Sequence, residues 1–162
     1  MNKKIKKILA CVDFSDYSLM VMEYAVELAK ESHIIFYNVI NRREYSGIET
    51  MTYYGPVYPV HILDQDEIQK QATTREELIK QLIKENFSQA NTAMSIKIGV
   101  GLPSEQILKA IETEDIDLVV MANKGRGNIE RFLFGSAAEK VFRHSPVPVI
   151  SIRDSKNFKR EK

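Results

Sequence analysis

One cysteine in 162 residues, Cys11, excludes an intramolecular disulfide framework and cannot by itself build a zinc site. A reducing compartment is the expectation. No apolar run approaches the roughly 18 residues that a membrane-spanning helix needs. The basic start MNKKIKKILACVDFS breaks off its apolar stretch at Asp13, which does not match a signal peptide. The chain is therefore expected to be soluble and cytoplasmic, with no membrane partner. A surplus of one charge is also lacking: 23 Lys and Arg stand against 22 Asp and Glu, a formal charge of +1, and they form no basic stripe. Nucleic acid is not an expected partner. Catalytic signatures are missing too, with no G-x-S-x-G elbow, no H-x-E with C-x-x-C and no Walker loop. His33, His61 and His144 are far apart and read as surface or boundary residues, and Cys11, inside a strand, reads as an inert side chain.

What is present is ordinary globular composition, 44% hydrophobic and 28% charged, which predicts one core. The expected organisation is a single domain over residues 1–153, an irregular insertion at about 41–63 and a polar tail at 154–162. The insertion gathers Tyr45, Tyr53, Tyr54 and Tyr58 around Gly55-Pro56 and Pro59. A lid, a partner surface and a covering for the sheet end are all open readings of it.

Strands are predicted from Ile5 to Val12, Ile34 to Ile40, Ser95 to Val100, Asp117 to Ala122 and Val147 to Ile152. Between them, helical spacing places Ser18, Met22, Ala25, Val26 and Ala29 on one stripe, with Ser15 or Asp16 as the cap. A long helix is expected from about Asp64 to Asn86, and another from Ser104 with Ile107, Leu108 and Ile111 inward. Ser136 and Glu139 have capping-box spacing, so Ser136 is the expected cap of the last helix. Leu118-Val119-Val120-Met121 does not alternate with polar residues, as befits a parallel strand covered on both faces. The fold class is therefore α/β: a doubly wound, five-stranded parallel sheet with helices on both faces. Gly99-Val100-Gly101-Leu102-Pro103-Ser104 lacks the third glycine of a dinucleotide fingerprint and reads as a structural turn.

The most informative segment is MANKGRGNIERFLFGS, from Met121 to Ser136. It leaves a buried strand and enters a helix through glycines, a place where free N–H groups and the helix dipole favour an anion such as phosphate. Here the chain resembles the universal stress protein family, whose ATP-binding members carry G-x2-G-x9-G-[ST]. This chain reads A-x2-G-x9-G-S, with Ala122 in place of the first glycine and Gly125, Gly135 and Ser136 matching. Val12-Asp13-Phe14-Ser15, Gly101-Leu102-Pro103, Ala138-Glu139-Lys140-Val141 and Pro146-Val147-Pro148-Val149 extend the likeness along most of the chain.

The resemblance implies an adenine nucleotide site at Val12, Asp13, Val39, Met121, Ala122, Gly125, Arg126, Asn128, Gly135, Ser136 and Ala137. Asp13 would stand near the ribose or a phosphate-bound metal, Val39 beside the adenine, and Gly125, Gly135 and Ser136 at the phosphates, with Arg126 and Asn128 adding hydrogen bonds. The implied cofactor is ATP with Mg2+. The implied role is a regulatory module in stress response, a homodimer joined through the last strand, in which any ATP hydrolysis is slow. The alternative is a nucleotide-independent interaction protein of the same fold, which Ala122 keeps open.

Overall fold

Short apolar runs bounded by polar turns form the inner strands of the sheet, and the amphipathic stretches between them form its covering helices. In a computed structural model of the chain, residues 4–42, 64–123 and 135–153 are described. Their order is β1 (Lys7–Cys11), α1 (Ser18–Leu28), β2 (His33–Asn41), α2 (Gln65–Asn86), β3 (Met94–Gly101), α3 (Pro103–Thr113), β4 (Leu118–Ala122), α4 (Ser136–His144) and β5 (Val149–Ile152). All neighbouring strands are parallel, in the order β3-β2-β1-β4-β5. β1 is thus central, with Ala10 registered on Phe36 of β2 and on Val120 of β4.

Two apolar clusters sandwich the sheet. Ile8, Ala10, Val12, Phe36 and Val120 face Val21, Met22 and Ala25 of α1 and Ile79 of α2. On the opposite face Leu9, Ile35, Val119 and Met121 meet Ile107, Ala110 and Ile111 of α3 and Ala138 and Val141 of α4. Odd and even strand residues feed opposite faces as in any strand, and the sheet is doubly wound because α1 and α2 cover one face and α3 and α4 the other. Buried on both sides, β1 and β4 need no polar alternation.

The glycines before α3 have structural work. A Cβ at Gly99 would come within 2.3 Å of the Tyr37 hydroxyl, and Gly101 has φ +144°, a region that side chains avoid. Pro103 opens α3 in its first turn, where its missing N–H costs no intrahelical bond.

Three local expectations are corrected. Neither Ser15 nor Asp16 caps α1; Tyr17 stands at its N-cap with no side-chain bond, and the Ser15 hydroxyl, which donates to Asp13, accepts from the Tyr17 N–H at 3.4 Å, ahead of the helix. Ser136 is the first residue of α4 rather than its cap, a position held by Gly135, and Glu139 reaches Arg143 at 2.7 Å instead of reaching back. β5 starts at Val149 instead of Val147, since the Ser145 hydroxyl takes the Val147 N–H at 3.2 Å and donates to the Val147 carbonyl at 2.7 Å, folding that segment into a local turn. The expected insertion falls almost wholly at residues 43–63, outside the described residues, as does the expected tail at 154–162.

Candidate functional site

The chain leaves β1 for α1 on one face and returns by α3 to β4 on the other. The crevice above the carboxyl ends of β1 and β4 is therefore the topological switch point, where open α/β sheets take ligands. Val12 and Asp13 follow β1, Val39 lies in β2, Met121 and Ala122 end β4, and Gly135, Ser136 and Ala137 begin α4. Gly125, Arg126 and Asn128 lie outside the described residues.

The last bond from β1 to β2 is Val12 N–H to the Tyr37 carbonyl, 2.9 Å. The chain then turns sharply at Phe14, whose φ is +59°. A bulky residue pays strain of order 1–3 kcal/mol there. Asp13 holds the turn: its Oδ1 accepts from Ser15 N at 3.0 Å, Ser15 Oγ at 2.6 Å and Ser18 Oγ at 3.1 Å. Among the described residues these bonds all fall on Oδ1. The carboxylate is thus an organiser of the turn that leaves β1.

Peptide groups along a parallel strand alternate in the neighbour they address. Tyr37 addresses β1, whereas Ile34 addresses the chain entering β3, its N–H reaching the Ala93 carbonyl at 2.9 Å. Val39 follows Tyr37 in this alternation, and its N–H and C=O point along the line that β1 has already left. The result is a peptide edge in the crevice wall, one donor beside one acceptor, whose acceptor already takes one bond from Arg75 Nη1 at 3.3 Å. Beneath it lies Asn38, 2% exposed, whose Nδ2 donates to the Val12 carbonyl at 2.6 Å while its Oδ1 accepts from Arg75 Nη1 at 2.9 Å. Sequence reasoning passed over both residues. An asparagine amid the apolar run of β2 was the available signal, because a buried amide requires partners.

Ala122 pairs with Ile152 as an ordinary strand residue. Positive φ among described non-glycine residues occurs at Phe14 and Asp115, so Ala122 needs no glycine-like backbone, and its methyl packs against the cluster under α1. Met121 is buried in the opposite cluster. Asn123, 7% exposed, was another residue sequence reasoning passed over. Its N–H bonds the Ile152 carbonyl at 3.1 Å and its carbonyl accepts from Gly135 N–H at 2.8 Å, which draws the start of α4 onto the end of β4. No side chain caps α4, and Glu139 N–H, 2.9 Å from the Gly135 carbonyl, makes its first helical bond. The preceding N–H groups of Ser136, Ala137 and Ala138 have no intrahelical acceptor. Together with the helix dipole they suit an anion.

Cys11 and Tyr37, beside the crevice, both hold their protons more firmly than usual. Burial, and secondarily the charge of Asp13, push the Cys11 thiol up to about 12. Burial likewise pushes Tyr37 up to about 12, followed by the influence of Cys11 and Glu114. Among the described residues no three His, Cys, Asp or Glu side chains cluster as a metal site, and no helix is long and apolar enough to cross a membrane.

Comparison with known proteins agrees with this architecture. The model of the universal stress protein family matches residues 4–153. Universal stress protein MJ0577 of Methanocaldococcus jannaschii is 27% identical over 161 residues, covering 94% of this chain and 98% of the relative. YxiE of Bacillus subtilis is 28% identical over 150 residues, with 91% and 98% coverage. The solved MJ0577 structure superposes with a TM-score of 0.71 at 26% identity, covering 91% of this chain and 95% of that one. More distant chains share the fold: an Arabidopsis thaliana family protein with AMP bound (TM-score 0.55, 16% identity, covering 94% of each chain) and an Archaeoglobus fulgidus protein in complex with dAMP (0.57, 17%, covering 93% and 98%). In its sequence over residues 4–153 and in its fold, this chain belongs to the universal stress protein family.

Proposed function

We propose that the crevice binds ATP and that nucleotide occupancy sets the conformation or partners of a homodimeric stress-response module. The observation that carries this reading is that the sheet order sets, on either side of the end of β1, a peptide edge at Val39 with a donor and a half-used acceptor and a helix start at Gly135–Ala137 that no side chain caps. The first offers a donor and an acceptor to the edge of a base, and the second offers N–H groups to phosphate. Asp13 stands between them at the strand end. Mg2+ would arrive on the phosphates, with Asp13 as the protein's contribution. The AMP and dAMP bound by the Arabidopsis and Archaeoglobus proteins support the choice of an adenine nucleotide. The family resemblance assigns Gly125, Arg126 and Asn128 to the same phosphates.

The test is calorimetric titration of ATP into the wild type and a Gly135→Val, Ser136→Val double variant. Valine at both positions fills the phosphate space, and the expected loss of affinity is about tenfold or more. Ser136 caps nothing, so the stability cost is confined to an unfavourable N-cap, about 1 kcal/mol. Unchanged affinity in the folded variant removes the phosphate assignment. A wild type that binds no nucleotide, and carries none when heated and extracted, makes the chain a nucleotide-independent member of the family.

A further inference from the structure

The Arg75 Nη1 atom that bonds Asn38 also lies 3.3 Å from the Val39 carbonyl oxygen. Arg75 comes from α2, and the bonded amide of Asn38, fixed in turn to the Val12 carbonyl, gives the guanidinium a defined seat at the base-facing edge. Arginine keeps its charge at any working pH. A permanent cation therefore stands at the acceptor that Val39 offers to the crevice.

That position has a chemical consequence for any purine read there. The Val39 pair, N–H donor and C=O acceptor, complements the adenine edge, whose 6-amino group donates beside an accepting N1. A 6-oxopurine reverses both groups. A carbonyl has two lone pairs, so Arg75 leaves room for a second donor, but an amino hydrogen there meets a guanidinium of like sign. A 6-oxo oxygen instead finds a charged donor, and charge-assisted bonds are the stronger class.

We propose that Arg75 is a base-selectivity residue: seated by Asn38 on the Val39 carbonyl, it narrows the preference of the crevice for 6-amino over 6-oxo purine nucleotides. The inference rests on the nucleotide reading of the crevice and adds to it the substrate class that is discriminated.

The test compares ATP with inosine triphosphate, which differs only at the base edge in question. Affinities are measured by calorimetry for the wild type, Arg75→Met and Arg75→Gln. Methionine keeps the aliphatic stem, while glutamine, two bonds shorter, keeps a neutral polar head that can serve Asn38 Oδ1 through a water should the methionine variant fold poorly. Removing the charge is expected to raise the ratio of ATP to inosine triphosphate affinity about tenfold. A general loosening of the fold would weaken both ligands and leave the ratio alone. ATP binding with an unchanged or lowered ratio in the folded variants overturns the role of Arg75 and leaves the crevice reading intact. A wild type that binds neither nucleotide overturns the crevice reading, and this inference with it.

Discussion

At Ala122 a single methyl group separates the chain from the glycine pattern it otherwise matches. In the structure that methyl belongs to the apolar cluster under α1 and the backbone is ordinary strand. Ala122→Gly is therefore expected to leave ATP affinity unchanged or slightly tighter and to lower stability by about 0.5–1 kcal/mol through added freedom of the unfolded chain. Paired calorimetry and urea melts check both, and a clear loss of affinity would show that the methyl supports the ligand. Cys11 and Tyr37, partners in the β1–β2 register, carry a second expectation. Their folded pKa values rise from 9.0 and 10.0, respectively, to about 12. The unfolded chain thus releases these protons first, so the stability they contribute is complete below about pH 9 and falls as the pH climbs toward 12. Urea midpoints measured between about pH 8 and pH 11 should decline, and Cys11→Val should flatten the decline. An identical slope in that variant would dissociate the thiol from the effect.

Among the elements, the two helix starts make an instructive pair. Asp64 caps α2 by accepting from Glu67 N–H at 2.8 Å, and Ser136 caps nothing. Asp64→Ala should cost about 1 kcal/mol, whereas Ser136→Ala should stay within about 0.5 kcal/mol of the wild type, as thermal melts would show. The sequence pattern points to Ser136 as a cap and gives Asp64 only as a helix start, and the difference shows what local pattern leaves undecided. The strands and their parallel arrangement were legible because continuous apolar runs and helical spacing reflect burial directly. Cap identity was not: Gly135 takes the N-cap because its N–H is claimed by Asn123, a contact set by packing. The start of β5 was misplaced for a similar reason, since the Ser145 hydroxyl competes for the Val147 peptide. Val12, Asp13 and Val39 were legible as strand-end residues, whereas the buried pairing of Asn38 with Arg75 joins β2 to a helix 37 residues away and leaves no periodic trace.

At the scale of the whole molecule, β5 is an edge of the sheet, and unpaired edges invite partners. The Pro148 and Ile152 carbonyls bond β4, so Val149 and Ser151 turn their peptide groups outward. A homodimer joined there is part of the proposed function. Because Val147 and Val149 also pack toward the cluster under α3 and α4, lysine at those positions would disturb the core as well as the edge. Ser151→Pro is the cleaner probe: it deletes an outward N–H and spares the bonds to β4. The wild type is expected to be dimeric and the variant monomeric in light scattering; a monomeric wild type, or a dimeric variant, places the contact elsewhere. The central position of β1 carries a further consequence, for synthesis. Ile8 pairs with Ile34 and also with Leu118. As the chain leaves the ribosome, one side of β1 can zip to β2 early, but the other stays bare until β4 follows, and the crevice lacks its second wall until Gly135 has emerged. A ligand held between both walls would act only on chains in which β4 and the start of α4 are already in place. Any chain stopped before β4 bears its unpaired hydrogen-bonding edge on what should be the middle of its core, the form of this protein most exposed to aggregation.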